Sequence, residues 1–160
     1  MTIDELTDAG MAQMTDDEIR GFLSSQHVGV LALPTDGAPS MRPLSFWYDG
    51  DHGLYFLYIL GDSSRKALLS DEAAAARFLV YRAEALFNWR SVLLTGTIDA
   101  VPETERAALD AKTASQRRPD LFKQALDTAE TALYRFDITE WTGVEHLGLP
   151  AGFEEPTSTD

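Results

Sequence analysis

The residues best placed for chemistry are Ser63-Ser64-Arg65-Lys66, directly after the apolar run Leu54–Leu60. Ser63 or Ser64 can cap a short helix from about Arg65 to Leu69. A helix N-terminus carries roughly half a positive charge and normally prefers acids. Here two cations fill its first turn. Two hydroxyls, free backbone N–H groups and two cations make an anion site. Arg can grip a phosphate through two parallel hydrogen bonds, and Lys adds a point charge. The same residues also fit a solvated basic turn paired with Asp62 or Asp71, so spacing alone leaves both readings open.

Other combinations carry less. Ser63-x-x-Lys66 matches the S-x-x-K of penicillin-binding enzymes, but neither S-D-N nor K-T-G follows. Asp49 and Asp51 could open a calcium loop, yet Gly53 stands at the next ligand position and Leu60 where Glu is needed. His27, His52 and His146 lack ligand spacing, so no metal is expected. Asp16, Asp17 and Glu18 suit a helix start better than a catalytic pair. The chain has no cysteine, hence no disulfide framework, thiolate metal site or cysteine nucleophile. It also has no G-x-G-x-x-G and no Walker A sequence.

The whole chain sets bounds on these sites. Its 160 residues fit one domain able to fold unaided. Lys and Arg number 13 against 26 Asp and Glu, a net charge of −13, which would repel a nucleic acid over most of the surface. There are ten Arg, only three Lys and fifteen Asp. Low Lys with abundant Asp, Ala and Thr resembles proteins of cells that keep molar salt inside. An ordinary acidic protein from a GC-rich genome fits as well. No apolar run is long enough to span a membrane, and the acidic N-terminus lacks the basic and apolar regions of a signal peptide. A soluble cytoplasmic protein is the expectation.

The elements that must position the site follow from periodicity. Residues 1–14 form a polar leader, either frayed or docked. Thr15-Asp-Asp-Glu18 is a capping box, and Ile19, Phe22 and Leu23 share one face of a helix ending near Gln26. His27–Leu33, Pro39–Tyr48 and Leu54–Leu60 read as strands joined by two tight turns, an antiparallel meander. The third of these is apolar on both faces and should be covered on both sides. Ala76–Arg82 and Arg90–Val101 read as further strands, the latter with a bulge at Gly96. Helices are expected from Pro102 and from Pro119. Ala132–Glu145 completes six strands, and the acidic segment 148–160 reads as a tail. A mainly β barrel of six antiparallel strands, with helices filling gaps, would leave no open edge.

Three segments in order resemble one family. They are Met41-Arg-Pro-Leu-Ser-Phe46, Tyr58-Ile-Leu-Gly-Asp-Ser-Ser-Arg-Lys66 and Asn88-Trp-Arg-Ser-Val-Leu-Leu-Thr-Gly96. Their succession resembles the pyridoxamine 5′-phosphate oxidase-like FMN-binding split-barrel family, over about residues 15–147. The resemblance implies a domain over that span and FMN as the cofactor. Its phosphate would be held by Ser64, Arg65 and Lys66. Arg42, Pro43, Leu44 and Ser45 would lie along the isoalloxazine ring. Tyr58 and Ile59 would contribute from the end of their strand, and Arg90 and Ser91 would reach the flavin from a partner subunit. It further implies a homodimer with two flavins at its interface. Trp47, Tyr48, Trp89 and Trp141 are aromatics such an interface could use, or plain core.

The true vitamin B6 oxidases add a C-terminal segment with Arg and Trp residues that holds the substrate phosphate. Here no Arg or Lys follows Arg135. Pyridoxine phosphate oxidation itself is therefore not expected. The implied activity is flavin-dependent oxidoreduction of an unidentified small molecule, with NAD(P)H as a candidate donor. A flavin carrier or redox sensor, a deazaflavin-dependent reductase and a cofactor-free interaction module are the alternatives.

Overall fold

The computed structural model describes residues 10–59, 75–102, 104–105 and 131–148. The chain runs β1 (Met11–Gln13), α1 (Asp16–Ser25), β2 (Val28–Leu33), β3 (Ser40–Tyr48), β4 (Gly53–Ile59), β5 (Ala76–Ala85), β6 (Asn88–Ala100) and β7 (Thr131–Leu147). Every strand pairing is antiparallel. The order is β1-β7-β4-β3-β2-β5-β6, and β6 pairs back onto β7. Six strands thus close a barrel, as the sequence implies, and β1 is an addition at its rim. No described helix is long and apolar enough to cross a membrane.

Alternating side chains fill the barrel. Phe46, Phe56, Phe78 and Phe136 are almost fully buried and meet at ring-centroid distances of 4.8–6.4 Å. Gly29 makes room for this cluster, because a Cβ there would come within 2.5 Å of the Phe78 ring. β4 is covered on both faces, as expected. Leu54 and Phe56 join the main core, while Tyr55 packs outside with Trp47 and Leu133.

β7 holds the barrel shut. It pairs with β4 through Thr131–Asp137, with β6 through Tyr134–Leu147 and with β1 through Val144–His146. The bulge foreseen at Gly96 is present: Thr95 pairs with Glu140 but Gly96 with Ile138, leaving Thr139 unopposed. The extra residue flips the parity of β7. Phe136 and Ile138 face the core before it, and Trp141 packs on that core after it. Gly96 has no room for a side chain, since a Cβ would lie 2.1 Å from the Asp137 carbonyl oxygen.

α1 plugs one end. The capping box forms in full: the Thr15 hydroxyl accepts from the Glu18 N–H, and the Glu18 carboxylate accepts from the Thr15 N–H. Ile19, Phe22 and Leu23 are buried as their spacing requires. Burial of each contributes about 1.5–3 kcal/mol. The helix seats against Gly143, where a Cβ would meet Ile19 at 2.8 Å.

Several expected elements lie outside the described residues. They are the helix over 65–69, the helix from Pro119, most of the one from Pro102, residues 1–9 of the leader and the tail beyond 148. Of the Pro102 helix, the described start is the Glu105 N–H bond to the Pro102 carbonyl, at 2.9 Å.

Candidate functional site

The strand registers set three cross-strand rows on the outside of the barrel. The central row runs Pro43, Val30, Leu79, Leu93, Thr142. Beside it lies Ser45, Val28, Tyr81, Ser91, Val144, in which Tyr81 meets Val28 by carrying the β2–β5 register one step on. The third row is Met41, Ala32, Arg77, Thr95, Glu140. Inward residues alternate with these along each strand and are buried in the barrel's middle, whereas Arg42, Arg82 and Arg90, of the same parity, are exposed towards the strand ends.

This face is apolar without being covered. Val28, Met41 and Tyr81 are 57%, 58% and 57% exposed. They are three of the five large apolar side chains that the described residues leave exposed. A contiguous apolar face with hydroxyls at its margins suits a flat, partly polar ligand or a second protein surface.

The face brings together part of the expected site. Pro43 and Ser45 from β3 and Ser91 from β6 lie on it, and Ser45 and Ser91 share a row. Leu44 does not: its side chain is in the core, 7% exposed. Arg42 shares the parity of Leu44 and is exposed, opposite Leu31. Arg90 also lies off this face, in line with the inward Val92 and Leu94, and its Nε donates to Glu145 at 3.1 Å.

β3 and β4 pair only over Phe46–Tyr48 and Leu54–Phe56. Beyond that they part, and Leu57–Ile59 pair with β7 alone among the described residues. The gap has Ser40–Ser45 on one side and the backbone of Tyr58 and Ile59 on the other. Ser64, Arg65 and Lys66 lie outside the described residues. Five residues separate Ile59 from Arg65, six steps along the chain that span at most about 20 Å.

The neighbouring polar groups are committed to structure. Asp49 accepts from the N–H groups of Asp51 and Gly53, at 2.8 and 3.0 Å. Its carboxylate therefore closes the turn around Gly50, whose φ is +88°. No group of metal-holding side chains exists among the described residues. The Tyr48 hydroxyl donates to the Asp51 carbonyl at 2.8 Å. Burial, helped by the Asp49 carboxylate and opposed by Arg20, pushes its pKa up to about 12. Burial also raises Tyr55, against the pull of Arg135. Arg135, the last cation in the sequence, bonds the Tyr55 hydroxyl and sits 2.6 Å from Asp137.

Sequence reasoning missed Val28, Val30, Leu79 and Tyr81. The run from His27 to Leu33 is nearly all apolar, so it signals a strand but not which face is inward. The alternation Phe78, Val80 against Leu79, Tyr81 held the only usable signal.

Comparison with known proteins fits this architecture. Similar solved structures include a FAD-binding protein from Mesorhizobium loti, with TM-score 0.65 and 21% identity over 86% of this chain and 99% of that one. The FAD and heme binding protein of Mycobacterium smegmatis gives TM-score 0.65 and 20% identity, covering 90% of this chain and 77% of that one. A FAD binding protein from Mycobacterium smegmatis gives 0.62 and 14%, covering 84% and 98%. No functionally curated protein matches the chain. At these identities the likeness establishes the fold. The family model for pyridoxamine 5′-phosphate oxidase matches residues 15–145, and the chain belongs to that family.

Proposed function

We propose that the protein is a flavoprotein that binds FMN between two copies of itself and serves as an oxidoreductase on a small molecule. The observation that carries this reading is the shared row of Ser45 and Ser91 on an exposed apolar face. Two distant segments, each assigned to the flavin by family resemblance, lie on that one face three strand spacings apart, about 14 Å, so that in a pair of copies Ser45 would serve one flavin and Ser91 the flavin of the partner. The face suits the ring system, because Pro43, Val30, Leu79 and Leu93 offer an apolar floor, with the hydroxyls of Ser45 and Ser91 at opposite sides of it.

Bound there, the flavin supplies hydride transfer, which needs no protein nucleophile. The chain's part is to hold and shield it. Arg65, Lys66 and Ser64 take the phosphate, with the two cations supplying charge-assisted hydrogen bonds. Val28, Met41 and Tyr81 are covered by the second copy, which also excludes water from the ring. The FAD-binding relatives support a flavin, and Arg65 and Lys66 favour one that ends in a monophosphate. Oxidation of a B6 phosphate is not the activity proposed, since Arg135, the cation of β7, is engaged with Tyr55 and Asp137.

The absorbance spectrum of the purified protein, with the mass of the cofactor released on denaturation, tests the reading. Bands of an oxidised flavin and release of FMN are expected. A colourless protein that takes up no FMN overturns it. Arg65→Ala should keep the fold and weaken FMN about tenfold to a hundredfold, the worth of one charged hydrogen bond. Steady NAD(P)H consumption with an added acceptor distinguishes an enzyme from a carrier.

A further inference from the structure

Arg82 and Arg90 face one another across the β5–β6 pair. They lie on the opposite side of the sheet from the Ser45–Ser91 row. Like charges directly opposite on neighbouring strands destabilise the pair, and this chain has only 13 cations against 26 acids. Both arginines line a cleft of about 360 Å³, closed on its other side by α1 through Phe22, Ser25 and Gln26.

Among the described residues each cation has a single acidic partner. Arg82 meets Glu84 at 2.9 Å, and the Nε of Arg90 meets Glu145 at 3.1 Å. The acid that lines the cleft, Glu18, already accepts from the Thr15 N–H and hydroxyl. Arg90 therefore keeps both terminal nitrogens without a hydrogen bond among the described residues. One amide N–H of Gln26 goes to the Ser25 hydroxyl, at 3.2 Å, and the other has no partner among the described residues. Two guanidinium groups and an amide donor thus line one cleft together with Phe22.

We infer that this cleft binds an oxyanion, the carboxylate or phosphate end of a small molecule whose apolar part rests on Phe22. A guanidinium presents parallel N–H groups that match two oxygens of such a group. The bound anion relieves the opposition of the two arginines and ties α1 to the β5–β6 hairpin. The site is separate from the proposed flavin face, with the thickness of the sheet between them.

The test uses the full chain as purified, with any bound flavin in place. The side-chain Nε–H signals of Arg82 and Arg90 are followed by nuclear magnetic resonance during titration with sodium phosphate, sodium benzoate or sodium chloride at constant ionic strength. Saturable shifts with phosphate or benzoate are expected, and the tighter of the two names the source of the oxyanion. Arg82→Gln should weaken binding about tenfold or more. Its parent side chain is 62% exposed, so the fold is retained, which an unchanged thermal midpoint without ligand verifies. A linear drift equal to that with chloride overturns the inference, as does unchanged binding by Arg82→Gln. The visible flavin band is read in the same samples. Release of flavin by phosphate overturns a separate site, while a protein that never held flavin can still show the arginine shifts.

Discussion

The indole Nε1 of Trp141 donates to the Asp16 carboxylate at 2.9 Å, joining residues 125 positions apart. The guanidinium of Arg20 lies 5.1 Å from the centre of the same indole. One aromatic side chain of the barrel thus pins the first turn and the middle of α1. Trp141→Phe keeps a ring for Arg20 and loses the donor to Asp16. We expect a loss of about 1 kcal/mol. Urea unfolding should show a lower midpoint with an unchanged slope.

Tyr48 predicts an alkaline limit to stability. Its pKa is about 12 when folded, chiefly through burial, against about 10 in an unfolded chain. Below pH 10 both states keep the proton and the tyrosine contributes no pH dependence. Between pH 10 and 12 the unfolded chain loses it first, so stability falls as pH rises. Thermal midpoints measured from pH 9 to 11.5 should decline more steeply for the wild type than for Tyr48→Phe. Equal slopes would show that another group sets the limit.

The apolar outer face predicts assembly. Val30 sits at its centre, between Pro43 and Leu79. Val30→Glu places a charge there without disturbing the inward side chains of β2. Light scattering should report two chains for the wild type and one for the variant, with bound flavin lost in parallel. A wild type that is monomeric at micromolar concentration would refute the paired arrangement.

The net charge of −13 predicts a need for salt. The Debye length falls from about 10 Å at 0.1 M to about 3 Å at 1 M, which screens repulsion between neighbouring acids. The thermal midpoint should rise between low and molar KCl. A midpoint that stays level would favour the reading of an ordinary acidic protein.

The sequence was informative where local rules dominate. Thr15 and Glu18 announced the helix start, and Gly96 announced the bulge, because both depend on residues close in the chain. β1 was missed: Met11-Ala-Gln13 has no strand signature and owes its form to pairing with Val144–His146. The candidate site was legible as segments, not as a surface. That Ser45 and Ser91 share a row follows from the β2–β3, β2–β5 and β5–β6 registers together. Leu44 and Arg90 shared their segments with Ser45 and Ser91, but strand alternation sends them to the other side. The opposition of Arg82 and Arg90 likewise needs the hairpin register, which no local motif encodes.

The three pairings of β7 also fix an order of events. Until residues 131–147 leave the ribosome, β4 and β6 each lack their β7 partner, and so does β1. The core phenylalanines of the earlier strands then wait without Phe136. Barrel closure waits for this strand, and its contacts span long stretches of sequence, the condition that slows folding. A nascent chain stalled before β7 presents unpaired edges to the cell, so the last described strand decides whether the earlier ones fold or aggregate.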